Sequence, residues 1–175
     1  NHDLKGIIID LRNNGGGEIE NACEMLDYIL PDDITTFDKN IKQEKNKGHT
    51  FLTRVESKHE DDKEWVCTDG HEISKDIPIT VIVNEYTASA AEILSGVLQM
   101  YDRATIVGNT TFGKGIVQSV FSFSDGSSVQ FTSGQWFLPD MTNIQKKGIT
   151  PDIISEADEN NVRDELADAY KTFEK

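Results

Sequence analysis

Three short segments of the chain carry residue types that could do chemistry. Three glycines occupy positions 15–17, Ser89 precedes a helix-forming stretch, and Lys114 lies between two glycines. Each segment also has a plain structural explanation, because glycines permit tight turns, a serine can cap a helix, and a lysine in a loop is usually solvated. Taken singly, none of the three indicates a reaction.

Lys114 ends a stretch, 108–114, that satisfies the GxxxxGK pattern of a phosphate-binding loop. Such a loop needs serine or threonine as its next residue, to reach magnesium, and then a helix whose amino terminus faces the phosphates. Here Gly115 follows, and an alternating pattern typical of a strand comes after it. The sequence therefore disfavours nucleotide binding, and we predict no cofactor.

Read together, the three segments predict acyl-transfer chemistry. The amide of Ala90 would point outward from the start of a helix, where the helix dipole favours a developing oxyanion. A glycine turn after a neighbouring parallel strand could bring a second amide, from Gly16 or Gly17, to the same spot. These residues predict an oxyanion hole beside Ser89 as the nucleophile.

Ser89 also needs a base, and no histidine stands in a motif that would provide one. The four histidines lie at the terminus or in a charged segment, and there is no Gly-x-Ser-x-Gly elbow. A desolvated lysine can accept the proton because burial disfavours its charged form. Lys114 is the best-placed candidate. On a strand it would share a face with Gln118, whose amide could orient the amine.

The elements around these segments predict an α/β fold. Short β-branched runs suited to burial alternate with stretches of helical period, which indicates a central, mostly parallel sheet flanked by helices. The predicted strands are 6–11, 78–83 and 104–107, and the predicted helices begin near residues 19 and 90. Residues 114–132 add a β-hairpin with its turn at Asp125-Gly126, and residues 156–175 hold a closing helix.

Residues 32–77 are dominated by charge and separate the first helix from the second strand of the sheet. Two apolar islands in this segment, 50–55 and 64–67, look like edge strands. We therefore predict a charged surface excursion. Cys23 and Cys67 could form at most one disulfide, and they lack the close spacing of a metal or redox site.

Composition disfavours two classes of partner. The 175 residues include 17 Lys plus Arg and 31 Asp plus Glu, a net charge of −14, whereas a nucleic-acid partner needs a basic face. No stretch approaches the roughly 20 apolar residues of a membrane span. Most acids fall in residues 32–77 and after Glu156, so we expect them to say little about the substrate.

Five blocks, in order along the chain, resemble the carboxyl-terminal processing proteases, the tail-specific peptidases of family S41. The blocks are GIIIDLRNNGGG from Gly6, VNEYTASAAEIL from Val83, DRATIVG from Asp102, TFGKGIVQ from Thr111 and GITPDI from Gly148. The charged segment is the least alike. The resemblance implies a ClpP/crotonase-like protease core, endoproteolytic cleavage near protein C-termini, and no requirement for a metal.

The resemblance also implies roles for single residues. The family's nucleophile falls on Ser89, its general base on Lys114, 25 residues later, and its glutamine on Gln118. Its oxyanion donors fall on the glycine turn, Gly16 and Gly17, and on Ala90. Two departures stand out: Gly15 replaces a proline found in many members, which should loosen the turn, and Met100 replaces an aspartate.

Full-length members of the family usually carry an export signal or anchor and a PDZ domain that binds the substrate tail. The resemblance therefore implies that residues 1–175 are a catalytic core from a longer, extracytoplasmic bacterial protein that acts on proteins or peptides with accessible C-terminal tails. Two alternatives stay open: a catalytically idle member used for peptide binding or scaffolding, and a crotonase-like acyl-CoA enzyme. The acyl-CoA alternative offers no reason for pairing Ser89 with Lys114.

Overall fold

The computed structural model of the chain describes residues 4–32, 49–68, 73–156 and 163–174. It contains eight strands and three helices within these ranges. In chain order they are β1 (Ile7–Asp10), α1 (Ile19–Ile29), β2 (Phe51–Ser57), β3 (Lys63–Val66), β4 (Ile79–Val83), α2 (Ala90–Met100), β5 (Thr105–Gly108), β6 (Ile116–Ser122), β7 (Ser128–Phe137), β8 (Ile153–Ile154) and α3 (Glu165–Lys171).

Four parallel strands form one sheet in the order β1-β4-β5-β8. Every residue of β4 is buried, as expected for a strand of β-branched residues covered on both faces. Helix α1 buries one stripe of side chains, while α2 is buried at every position from Ala90 to Leu98. The predicted α/β fold with a mostly parallel sheet is confirmed.

The remaining four strands form an antiparallel sheet in the order β3-β2-β7-β6. The prediction that residues 50–55 form an edge strand is wrong, because β2 pairs with β3 on one side and with β7 on the other. Leu52 and Thr53 are buried. The strand itself was predicted, but its inner position was not, because its partner β7 lies more than 70 residues away in sequence.

The predicted hairpin is present and consists of β6 and β7. The strands pair from Ile116–Gln135 to Ser122–Ser128, and the turn between them contains Gly126. One irregularity interrupts the ladder. Val117 pairs with Gly134 and Gln118 with Thr132, so Ser133 is an extra residue in β7. Such a bulge bends the strand that carries it.

The closing helix is shorter than the predicted 156–175, and residues 157–162 lie outside the described residues. Asp164 caps α3 by accepting a hydrogen bond from the Ala167 amide at 2.9 Å. Just beyond the helix, the hydroxyls of Thr172 and Thr80 lie 2.6 Å apart, which ties this end of the chain to β4. Within the described residues, no helix is long and apolar enough to cross a membrane.

The backbone at the end of β5 tolerates only glycine. Gly108 has φ +127°, and a Cβ built on it would lie 1.9 Å from the carbonyl oxygen of Val83. We expect Gly108→Ala to lower the free energy of unfolding by about 3 kcal/mol or more, measured by urea denaturation. Gly126→Ala is the matched control: its φ is +88° but no atom lies within 4 Å of an added Cβ. It should cost only about 1 kcal/mol, and equal losses would contradict the role of the Val83 contact.

Candidate active site

The loops that follow β1 and β4 meet at the carboxyl edge of the parallel sheet. The Ala88 amide donates to the Asn14 carbonyl at 2.9 Å, and the Thr87 hydroxyl donates to the Leu11 carbonyl at 2.7 Å. Because β1 and β4 are neighbouring parallel strands, their carboxyl ends bring these loops together. The glycine turn is thereby held against the segment that enters α2.

Gly16 lies directly against Ser89. A Cβ added to Gly16, whose φ is +97°, would lie 2.7 Å from the Ser89 Cβ and 2.9 Å from the Ala90 nitrogen. The predicted meeting of the glycine turn and the helix start is therefore present. The Gly16 amide, however, donates to the Asn14 side-chain oxygen at 2.9 Å. Gly17 lines the cavity beside Ser89.

Ser89 occupies a strained backbone conformation immediately before α2, with φ 58° and ψ −125°. Non-glycine residues adopt such angles rarely, and strain of this kind concentrates at functional sites. A serine on a sharp turn between a strand and a helix is also the arrangement of a nucleophile elbow. In this chain the turn forms without the flanking glycines of the Gly-x-Ser-x-Gly motif, so a search for that motif does not reveal the turn.

Ala90 begins α2, and its N–H is one of the first amides of the helix, which have no carbonyl partner within it. It makes no hydrogen bond to any other described residue. The amide lies next to Gly16 and follows the strained serine. Its position suits an oxyanion donor, since the positive end of the helix dipole lies behind it.

A buried carboxylate, that of Glu92, ties the serine segment to the lysine segment. One oxygen accepts the amides of Ser89 at 2.8 Å and Lys114 at 2.9 Å. The other accepts the Gly113 amide at 2.7 Å and the Thr111 hydroxyl at 2.5 Å. Glu92 is 0% exposed, and these four donors match the acceptor capacity of a carboxylate. The sequence analysis assigned no role to Glu92, because its partners at residues 111–114 are about 20 residues away in sequence.

The backbone of Lys114 is fixed on both sides. Its amide donates to Glu92, and its carbonyl accepts the indole N–H of the buried Trp136 at 2.8 Å. The side chain is half-buried. Among the described residues, no carboxylate lies within ion-pair distance of its amine.

Ser89, Lys114 and Gln118 line one cavity of about 600 Å³. No hydrogen bond joins the Ser89 hydroxyl to the Lys114 amine in the described part of the chain. The strand argument for Gln118 is wrong, because Lys114 precedes β6, which begins at Ile116. The side-chain oxygen of Gln118 accepts a hydrogen bond from the side-chain amide of Gln130 at 3.1 Å. The structure thus places all three predicted residues around one space without linking their side chains.

The charged segment contributes to the cavity wall. The acidic side chains that line the cavity are Glu18, Glu20, Glu60 and Asp61. Two of them, Glu60 and Asp61, belong to residues 32–77, so part of the charge of this segment lies at the cavity. The β2–β3 hairpin brings them there because β2 is an inner strand of the sheet that borders the cavity.

His59 also lines the cavity, although sequence reasoning set all four histidines aside. It lies in the turn between β2 and β3 and is exposed. His49 lies elsewhere, with its ring nitrogen 2.7 Å from Asp32, while His2 and His71 fall outside the described residues. Among the described histidines, His59 is therefore the candidate for the general base if Lys114 does not have that role.

The cysteines are poor candidates for the nucleophile. Cys23 and Cys67 are both free and buried, and burial raises the pKa of each thiol to about 12. A reactive cysteine needs a lowered thiol pKa and access to solvent. Within the described ranges, no group of three or more His, Cys, Asp and Glu side chains is arranged to hold a metal ion.

The two departures from the family pattern lie in different settings. Nothing lies within 4 Å of a Cβ added at Gly15, so a side chain fits there without a clash. Met100 ends α2 and packs against the hydrophobic core. Met100 lies eleven positions after Ser89 along the helix, about 16 Å at 1.5 Å per residue. An acidic group at Met100 would therefore not contact the serine directly.

Comparisons with known proteins identify the chain's relatives. The chain is 36% identical over 152 residues to a probable CtpA-like serine protease of Staphylococcus epidermidis, a match that covers 86% of this chain and 27% of that protein. Among solved structures, the photosystem II D1 C-terminal processing protease is similar at TM-score 0.66 and 31% identity, over 86% of this chain and 34% of that one. A lipoprotein from Streptococcus agalactiae shares the fold at TM-score 0.69 and 22% identity, over 97% of this chain and 54% of that one.

The chain thus spans about a quarter of the length of the curated relatives it matches. The model of peptidase family S41 matches residues 1–155, a range that includes the glycine turn, the strained serine and the lysine loop. This match and the CtpA-like relative together show that the chain belongs to peptidase family S41.

Proposed function

We propose that the chain is the catalytic core of a serine endopeptidase that cleaves protein substrates near their C-termini with a Ser89/Lys114 dyad. One observation carries the proposal: the Glu92 carboxylate holds the backbones of both residues at the wall of one cavity. The strained conformation of Ser89 and the adjacent Ala90 amide support the nucleophile and oxyanion assignments. Cleavage near C-termini follows from resemblance to processing proteases, including the D1 enzyme.

The proposed reaction begins when the Lys114 amine takes the proton of the Ser89 hydroxyl as its oxygen attacks the scissile carbonyl. The amides of Ala90 and Gly17 stabilise the resulting oxyanion, and the lysine returns the proton to the leaving amine. Water then attacks the acyl-enzyme, with the same amine as base, and releases the carboxyl product.

The serine and lysine side chains are not yet hydrogen-bonded to each other in the structure. Catalytic hydrogen bonds are often long in free enzymes and tighten when substrate is bound. We propose that a peptide in the cavity excludes water and brings the Lys114 amine onto the Ser89 hydroxyl. Gln118 lines the same cavity, where its side chain is hydrogen-bonded to that of Gln130.

A catalytically idle, peptide-binding member of the same fold is the alternative function. The unlinked Ser89 and Lys114 side chains and the absence of an acid at Met100 favour it. A serine-directed fluorophosphonate probe separates the two, because only an activated Ser89 reacts with it. By family resemblance we also propose that the whole protein acts outside the cytoplasm.

Removing either member of the dyad should abolish cleavage while preserving the fold. We expect Ser89→Ala and Lys114→Ala each to lower kcat for a C-terminally labelled protein substrate by at least about 10³-fold, since each removes a reacting group. Circular dichroism should remain unchanged. His59→Ala is the matched control and should keep most of the activity; loss of activity in His59→Ala, with retention in Lys114→Ala, would make His59 the base.

The fit of Gly16 against the serine should matter for the rate of cleavage. In Gly16→Ala the added Cβ would lie 2.7 Å from the Ser89 Cβ, so the serine must shift. Displacing a nucleophile by about 1 Å can lower kcat about 100-fold. We expect that loss in kcat and in fluorophosphonate labelling. Gly15→Ala, with free space around it, should behave like the parent chain; equal effects at both positions would refute the argument.

The Glu92 carboxylate should act as a positioning residue. Glu92→Gln keeps the shape but directs an N–H₂ group at donors that now have no acceptor, which should cost about 2 to 3 kcal/mol of stability. Whichever oxygen is replaced, the loop that carries Lys114 loses at least one hydrogen bond to residue 92. We therefore expect kcat to fall by at least about tenfold, with a smaller change in KM. Ser95→Ala, one turn further along α2, removes a hydroxyl bonded to helix carbonyls and should leave kcat unchanged. Similar kcat values in both variants would contradict the positioning role.

A further inference from the structure

A stacked aromatic pair lies exposed on the β6–β7 hairpin. The rings of Phe121 and Phe131 have centroids 5.9 Å apart and planes inclined by 13°. Phe121 is 61% exposed and Phe131 39%. Two large aromatic rings held together in water leave apolar surface uncovered, which is typical of a place where another apolar group binds.

The pair belongs to one face of the hairpin. Phe121 pairs across the strands with Val129, and Phe131 with Ser119, so their side chains share a face. Both phenylalanines line the cavity that also contains Ser89 and Lys114. The apolar patch is therefore continuous with the proposed catalytic cavity, and its natural occupant is the substrate that fills that cavity.

The spacing along β6 sets the reach of this contact. β6 begins two residues after Lys114. Within the described residues it is an edge strand of the antiparallel sheet. Phe121 follows Lys114 by seven residues, about 23 Å at 3.3 Å per residue. An extended peptide running along β6 would cover the same span with six or seven of its own residues.

We propose that Phe121 and Phe131 form a remote specificity subsite that binds an apolar side chain of the substrate six or seven residues from the scissile bond. The inference rests on the proposed peptidase function. The subsite would favour aromatic side chains, because an offset third ring can stack on the pair. The selectivity for such substrates arises from binding, so it should be expressed in KM more than in kcat.

Binding is tested without chemistry in a Ser89→Ala chain. A fluorescent peptide of fourteen residues with a single Phe is compared with the same peptide carrying Ser at that position, by fluorescence anisotropy. We expect the Phe peptide to bind about tenfold more tightly, and this preference to vanish when Phe121→Ala is added. Phe123→Ala is the matched control: Phe123 is 57% exposed on the same hairpin but does not line the cavity. Equal binding of both peptides, or equal loss in both variants, would overturn the proposal.

Cleavage mapping tests the distance. The chain with Ser89 intact is given peptides in which the Phe occupies different positions, and the products are identified by mass spectrometry. We expect the scissile bond to lie six or seven residues from the Phe in each peptide. Cuts at positions independent of the Phe would overturn the proposal. Unchanged fluorophosphonate labelling of Ser89 in Phe121→Ala shows that the chemistry is intact, so failure of the subsite is separable from failure of the proposed function.

A second copy of this chain is the competing occupant of the patch. Sedimentation velocity at several concentrations separates it from substrate. If Phe121→Ala dissociates a dimer and leaves peptide binding unchanged, the patch is a self-association surface and the subsite proposal is wrong. An unchanged sedimentation coefficient together with weaker Phe-peptide binding supports the subsite.

Discussion

The burial of one carboxylate governs the rest of the structure around the cavity. Glu92 sits without solvent contact in the first turn of α2, and taking a carboxylate out of water costs several kcal/mol unless hydrogen bonds replace its hydration. Those hydrogen bonds come from two segments, the entry to α2 and the loop 111–114. The Phe112 amide also joins these segments by donating to the Thr87 carbonyl at 2.9 Å. Neither segment can move away without leaving the charge unsatisfied, so the nucleophile and the lysine are held by a shared requirement.

A second layer of contacts supports the first. Thr111 donates its hydroxyl to Glu92 and accepts the Ile149 amide at 2.7 Å, so the loop is joined to the segment before β8. Asn14 accepts the Ala88 amide with its carbonyl and the Gly16 amide with its side chain. The same asparagine therefore positions the glycine turn and provides the acceptor for the Gly16 amide. These polar contacts are local in space although their partners are distant in sequence.

That distance explains which features could be predicted. Helical spacing identified α1 and α2, β-branched runs identified β1 and β4, and turn chemistry identified the hairpin, because each signal is carried by neighbouring residues. The types of Ser89 and Lys114 led to the cavity that they share. The tie through Glu92, the inner position of β2 and the arrival of His59 depend on pairings across 20 to 80 residues. Periodicity carries no information about such pairings, so these three features emerged only from the fold.

The two tryptophans of the chain, Trp65 and Trp136, both line the cavity. Trp136 is buried under the Lys114 carbonyl, while Trp65 is half-buried on β3 at the opposite edge of the antiparallel sheet from the hairpin. Tryptophan emission from these 175 residues therefore originates from two walls of the same cavity. The chain carries its own optical reporter of cavity occupancy, and following that signal requires neither a label nor an engineered fluorophore.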